Sequence, residues 1–125
     1  MNETKPNYRV IIAGGRDFSD YELLKEKCDD FLKDKFLTHQ VIVVSGMARG
    51  ADSLGVRYAE ERELMVDAYP ADWKKHGRSA GYIRNAEMAE CADALIAFWD
   101  GRSRGTRHMI IQARQKGLAT AVIRY

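Results

Sequence analysis

The stretch AFWDGRSRGTRHMI (Ala97–Ile110) gathers residues suited to holding an anion. Arg102, Arg104 and Arg107 offer guanidinium forks, and Ser103 and Thr106 offer hydroxyls. Gly101 and Gly105 allow backbone N–H groups to come close to a charged oxygen. Two earlier stretches have the same character: AGGRDF, with Gly14, Gly15 and Arg16, and SGMARGAD, with Ser45, Gly46, Arg49, Gly50 and Asp52. The shared chemistry is capture of a phosphate or carboxylate by amides at the start of a helix, where the dipole is positive. Asp52 would accept a ribose hydroxyl or cap its own helix, and both roles stay open. In AGYIRNAEMAEC (Ala80–Cys91), Arg84 and Glu87 lie about one helical turn apart. That pair is either structural or presented to a sugar phosphate.

These residues need elements to position them, and the chain supplies one phrase repeatedly. YRVIIA (Tyr8–Ala13) is a short β-branched run ending at glycine, as a buried strand does. SDYE (Ser19–Glu22) fits a capping box, followed by a helix with Leu24, Cys28, Phe31 and Leu32 on one face. QVIVVSG leads through MARG into a helix from about Ala51 to Arg62. LMVDAYP leads through ADWKKHGR into a helix over about Ser79–Cys91. ALIAFWDG leads through RSRG into a helix over about Thr106–Lys116, and ATAVIRY closes as a fifth strand. Alternation of this kind predicts one α/β domain over residues 8–125, after a polar tail at 1–7. It has about five parallel strands and helices on both faces, in three layers. The connection Ala71–Arg78 is the longest and the best placed to act as a mobile lid.

In such a sheet the strand-to-helix loops share the carboxyl edge, where ligands bind. Arg16, Arg49, Arg78, Arg84, Arg102, Arg104 and Arg107 are seven of the twelve arginines, and all fall in those loops or just beyond them. Half of the eight lysines sit instead on or near the first helix: Lys25, Lys27, Lys33 and Lys35. Any one loop arginine is explained by a surface salt bridge to Asp17, Asp52, Asp72 or Asp100. Seven on one edge are not.

Several classes are excluded or disfavoured. With 125 residues, 46% hydrophobic and 30% charged, the composition is that of an ordinary globular domain. A net charge of +2 is too small to mark the whole surface as a nucleic-acid binder. The apolar runs are too short to span a membrane. MNETKPNYR lacks an apolar signal core, which points to the cytosol. Cys28 and Cys91 are far apart in sequence and read as reduced thiols. They form no ligand spacing with His39, His76 or His108, so no metal is expected. No loop matches G-x-x-x-x-G-K-[ST] or G-x-G-x-x-G, which argues against a P-loop ATPase or a dinucleotide dehydrogenase, and no cofactor is expected.

VIIAGGRDF, VVSGMARGADSLGVRYAEE, YPADWKKHGRSAGYIRNAEM and LIAFWDGRSRGTRHMI, taken in order, resemble the YspA-type branch of the SLOG superfamily. The resemblance runs from about Val10 to Lys116. That superfamily is Rossmann-like and includes the LOG (lysine-decarboxylase-like) phosphoribohydrolases and DprA. It implies a nucleotide or nucleotide-derived ligand at the glycine-rich carboxyl edge. RNAEM resembles the hydrolases' RK..M helix and implies a functional Arg84. GRSRGTRHM resembles their PGG.GT..E loop and implies a phosphate-binding turn at Gly105 and Thr106. This chain departs from the pattern in having Met109 where the hydrolases carry glutamate, and Asn85 where they carry lysine.

The reading that results is binding or sensing of a phosphorylated nucleotide-like ligand. Tyr69, Trp73 and Trp99 are the candidates for stacking on a base, with core packing preferred for Trp99. The alternative is N-glycoside hydrolysis of a nucleoside monophosphate, with Arg84 on the phosphate and Glu87 or Asp72 as the carboxylate. A further alternative is single-stranded DNA binding, which the low net charge disfavours. No membrane partner is expected. A homodimer is left open, symmetric dimers being the commonest assembly.

Overall fold

The computed structural model describes residues 5–125 as one α/β Rossmann-like domain built on a single five-stranded sheet. The strands are β1 (Asn7–Gly14), β2 (Gln40–Ser45), β3 (Met65–Ala68), β4 (Ala94–Trp99) and β5 (Ala119–Arg124). The helices are α1 (Tyr21–Leu32), α2 (Lys35–Thr38), α3 (Ala51–Glu61), α4 (Trp73–His76), α5 (Ala80–Cys91) and α6 (Arg104–Gln115). A 3₁₀ turn over Gly77–Ser79 joins α4 to α5. The strand order is β3-β2-β1-β4-β5, and every pairing is parallel.

Alternation along the central strands sorts the core into two layers, because successive side chains of a strand point to opposite faces. Val10 and Ile12 join Ile96 and Phe98 under α1 and α3, with Leu24, Cys28, Leu32 and Tyr58. Ile11 and Ala13 join Leu95 and Ala97 under α5 and α6, with Met88, Met109 and Ile110. β1 therefore sends its chain to one face while β4, its hydrogen-bonded neighbour, sends its chain to the other. The loops leaving them part and open a crevice at the carboxyl edge, which is the usual ligand position in this topology.

The element boundaries refine the sequence reading. Helix α1 is capped by Asp20, whose carboxylate accepts from the Leu23 amide at 3.1 Å; Ser19 is not the cap. Phe31 is partly buried rather than within the core face. Of the residues expected as a tail, 1–4 lie outside the described residues, and Asn7 already belongs to β1. Helix α6 starts two residues early, at Arg104, because Ser103 caps it. The connection expected as a lid is itself structured, holding α4 and the 3₁₀ turn. No helix among the described residues is long and apolar enough to cross a membrane.

Gly55 shows how tightly α3 sits on the sheet. A Cβ there would lie 2.8 Å from Ile12 Cγ2 and 2.9 Å from Ile12 Cβ. On an exposed helix, glycine to alanine stabilises by roughly 1 kcal/mol. Here the overpacking term, typically about 1–3 kcal/mol, opposes it. We expect Gly55→Ala to lower stability in urea titration by about 1–2 kcal/mol; a gain would show that α3 can lift off β1 freely.

Candidate anion-binding site

Three turns meet at the carboxyl edge, and glycine is what lets two of them touch. The Gly15 amide donates to the Phe98 carbonyl at 3.1 Å, and the Ala51 amide donates to the Gly15 carbonyl at 3.1 Å. Gly50 caps α3 at φ +80°, in the left-handed region that favours glycine, with the Gly15 carbonyl and Arg16 Cα where a Cβ would stand. The turn after β1 is thereby bolted both to the end of β4 and to the start of α3. Tyr125 adds a further tie, donating its hydroxyl to Asp17 Oδ1 at 2.6 Å.

Helix α5 reaches across this edge through Arg84. Its Nη1 donates to the Gly46 carbonyl, and its Nε donates to Asn85 Oδ1 at 3.1 Å. Asn85, itself buried, donates from Nδ2 to the Gly105 carbonyl at 3.2 Å and faces His108 Nδ1 at the same distance. One amide side chain thus links Arg84 to the first turn of α6. Gly46 has no space for a side chain: a Cβ would lie 2.5 Å from Arg84 Nη1 and 2.9 Å from Asp52 Oδ2.

The turn after β4 is organised by its own acceptors. Asp100 Oδ1 accepts the Arg102 and Ser103 amides, each at 2.8 Å, and these bonds hold its carboxyl below the usual range. Ser103 Oγ accepts from the Thr106 amide at 3.3 Å. Arg104 and Gly105 then provide first-turn amides that have no acceptor within the helix. A Cβ on Gly105 would meet nothing of the protein, unlike one on Gly14, Gly15, Gly46, Gly50 or Gly101.

Together these elements enclose a hollow of about 610 Å³, within the range of small-molecule sites. Arg16, Arg49, Arg78 and Arg84 line it, with the carboxylates Asp17, Asp52 and Asp100. Among the described residues, none of those four arginines has a carboxylate within the 4.0 Å of an ion pair. Two of the carboxylates are already engaged, Asp17 by Tyr125 and Asp100 by backbone amides. The third, Asp52, is only 6% exposed and accepts from the Ala48 amide at 3.2 Å. Burial pushes its pKa up to about 6, against the pull of the Ala48 and Gly14 amides, Arg84 and Arg16. Burial also draws the Arg84 pKa down, with Asp52 acting the other way.

Of the residues singled out from sequence, Gly14, Gly15, Arg16, Arg49, Asp52, Arg84, Ser103, Gly105 and Thr106 line the hollow. Gly46 lines a neighbouring cavity. Ser45 lies behind the surface, accepting the Met47 amide at 3.1 Å. Gly50 and Gly101 support the turns without lining the hollow; a side chain on Gly101 would strike the Arg124 guanidinium. Glu87 is exposed on α5 outside the lining, and Asp72 caps α4 by accepting the Lys75 amide at 3.1 Å. Among the aromatics, Trp73 is 51% exposed and lines the hollow, its ring centroid 6.0 Å from the Arg16 guanidinium carbon. Tyr69 and Trp99 pack instead against the core. Sequence reasoning missed Tyr82 as lining and Asn85 as the organiser of Arg84. A polar residue next to the arginine, on a helix that must cover the sheet, was the available signal for Asn85.

Comparison with known proteins bears on the fold and the family. Gene 61 protein of Mycobacterium phage D29 is 37% identical over 116 residues, covering 88% of this chain and 91% of that protein. DNA processing protein A from Streptococcus pneumoniae shares the fold with a TM-score of 0.72 at 17% identity. That superposition covers 94% of this chain but only 50% of the other, so this chain spans about half its length. A family profile matches residues 8–76, which carry the first two glycine turns and Trp73, and the chain accordingly belongs to the YspA, cpYpsA-related SLOG family.

Proposed function

We propose that the hollow binds a phosphorylated, nucleotide-like small molecule. One observation carries this reading: four guanidinium groups line a cavity and lack ion-pair partners among the described residues. Arg84 is half-buried without a carboxylate in ion-pair contact, which is costly, and an incoming anion offsets that cost; Arg16, Arg49 and Arg78 are exposed and can pair with the same anion. The amides of Arg104 and Gly105 offer a seat for phosphate oxygens at the positive end of α6. Trp73 offers a half-exposed ring face for a base. Glu87 and Asp72 stand outside the lining, and buried Met109 borders the hollow, which weighs against hydrolysis through either carboxylate. Binding or sensing is therefore the preferred reading, and the free thiols Cys28 and Cys91, both away from the hollow, suit the cytosol.

A screen of nucleotides and nucleotide derivatives by thermal shift should yield stabilisers of several degrees at saturating ligand. Arg84→Ala should weaken the best of them roughly ten- to a hundredfold, the worth of one or two charge-assisted hydrogen bonds. Gly105→Ala should weaken it as well, yet leave the unliganded protein as stable or up to about 1 kcal/mol more stable, since alanine is the better helix former. A folded protein that no nucleotide stabilises would refute the proposal.

Asp52 makes the site respond to pH. Its folded pKa, about 6, is above the ordinary 3.8, so the folded state holds the proton more tightly. Stability is then gained as pH falls through about 6 toward 3.8, and a penalty on the order of 3 kcal/mol is present at neutral pH. Protonation also removes a negative charge beside Arg84. Sulfate, whose own charge is constant over this range, should bind more tightly as pH drops from about 7 to about 5. The Asp52→Asn protein should show a flatter profile in both titrations; an unchanged slope would exclude Asp52 as the group responsible.

A second reading, single-stranded DNA, is favoured by the exposed Arg102, Arg104 and Arg107 beside the hollow and by the fold shared with a DNA processing protein. Oligonucleotide affinity should then fall steeply with salt, by counterion release; a flat response would leave the small ligand as the reading.

A further inference from the structure

Beside the main hollow lies a second compartment of about 370 Å³, reached past the same arginines. Arg16, Arg49, Arg84, Ala48 and Trp73 border both spaces, so they form the wall between them. Gly46, Met47, Pro70 and Ala71 belong to the second compartment only. Its lining contains no carboxylate, whereas the main hollow has three. The side-chain donors there are guanidinium groups and the Trp73 indole N–H, no lining side chain is an oxygen acceptor, and the Gly46 carbonyl is already occupied by Arg84. A compartment furnished in this way suits a group rich in acceptors and negative charge. Hydroxyls or a neutral base edge would need acceptors as well as donors.

The seat at the first turn of α6 is on the other side of that wall. Ser103, Gly105 and Thr106 line the main hollow and are absent from the second compartment. A single phosphoryl group can occupy one position but not both. One phosphomonoester brings about −1.5 to −2 charges at neutral pH, and seated at the α6 turn it leaves the three guanidinium groups that border the second compartment without an anion on that side.

Resting on the proposed function above, we infer that the site takes a nucleotide-like ligand with two phosphoryl groups. One sits against the Ser103–Thr106 turn, and the other sits in the carboxylate-free compartment between Arg16, Arg49 and Trp73.

Calorimetry on the whole chain with adenosine 5′-monophosphate, adenosine 5′-diphosphate and adenosine 3′,5′-bisphosphate tests this. At least one of the two bis-phosphorylated probes should bind tenfold or more tightly than the monophosphate. Whether the contiguous or the separated pair gains more gives the spacing of the two seats. Met47→Glu and Ala71→Glu each put a carboxylate into the second compartment and should abolish the gain, lowering affinity for the bis-phosphorylated probes at least tenfold more than affinity for the monophosphate. Met47 is 48% exposed, so its replacement should not disturb folding, and thermal melts check this. Ile111→Glu, at an exposed position outside both cavities, should keep the gain and so control for net charge. Equal affinity for all three probes would overturn the inference while leaving the proposed function standing. So would a gain that survives both Met47→Glu and Ala71→Glu. Failure of every probe, the monophosphate included, would remove the reading on which the inference rests.

Discussion

A guanidinium cannot shed its charge inside a protein, and the carboxyl edge of this sheet is arranged around that fact. Arg84 is drawn inward from α5 with two neutral acceptors, the Gly46 carbonyl and the Asn85 side chain. Its position fixes much else. Gly46 must lack a side chain, because the space belongs to Arg84 and Asp52. Asn85 must be buried, because it completes Arg84 and then reaches to the carbonyl of Gly105. The turn after β2 and, through Asn85, the first turn of α6 therefore fix this cation with neutral acceptors. Neutral acceptors fix where the charge is, and Asp52 offsets only part of it.

The glycines divide on physical grounds. Those after β1 and before α3 are needed by the protein itself: backbone occupies the space of a side chain on Gly14 and Gly50, and the Tyr125 and Asp17 side chains occupy it on Gly15. They bring the strands' ends close enough to form a floor, and their absence of Cβ says nothing about a ligand. Gly105 is different. It lies in the first turn of a helix, where glycine costs stability, and no protein atom would collide with a larger residue. Backbone exposed there at a cost fits the anion seat proposed at this turn.

Most of the fold was legible in sequence because it rests on periodicity. Short apolar runs ending at glycine and followed by amphipathic segments leave little freedom in a chain this short, and the five strands lie where those runs lie. Helix ends were less legible. Ser19 and Asp20 are both good caps, and geometry chooses between them, as Asp20 reaches the Leu23 amide. The short α2 and α4 have no amphipathic repeat to announce them. The site was legible as a set of loops but not as a set of roles. Pattern brought Arg16, Arg49, Arg84 and Gly105 to one edge, yet it could not tell that Asp72 would serve its own helix or that Glu87 would face outward. A carboxylate's role depends on which amide is nearest in space, and spacing along the chain does not contain that.

Asp52 exposes the compromise in this design. A carboxylate beside an anion site opposes binding, and burial makes its charged form costlier still. Removing it would leave the Ala48 amide at the turn of β2 without its acceptor, and that turn carries Arg49 and places Gly46 against Arg84. The same side chain thus builds the cation's support and weakens the cation's field. A pKa near 6 reconciles the two demands: the carboxyl holds the amide in either protonation state, while its charge is surrendered most readily when an anion enters next to it. By linkage, ligand binding and proton uptake at Asp52 must favour one another.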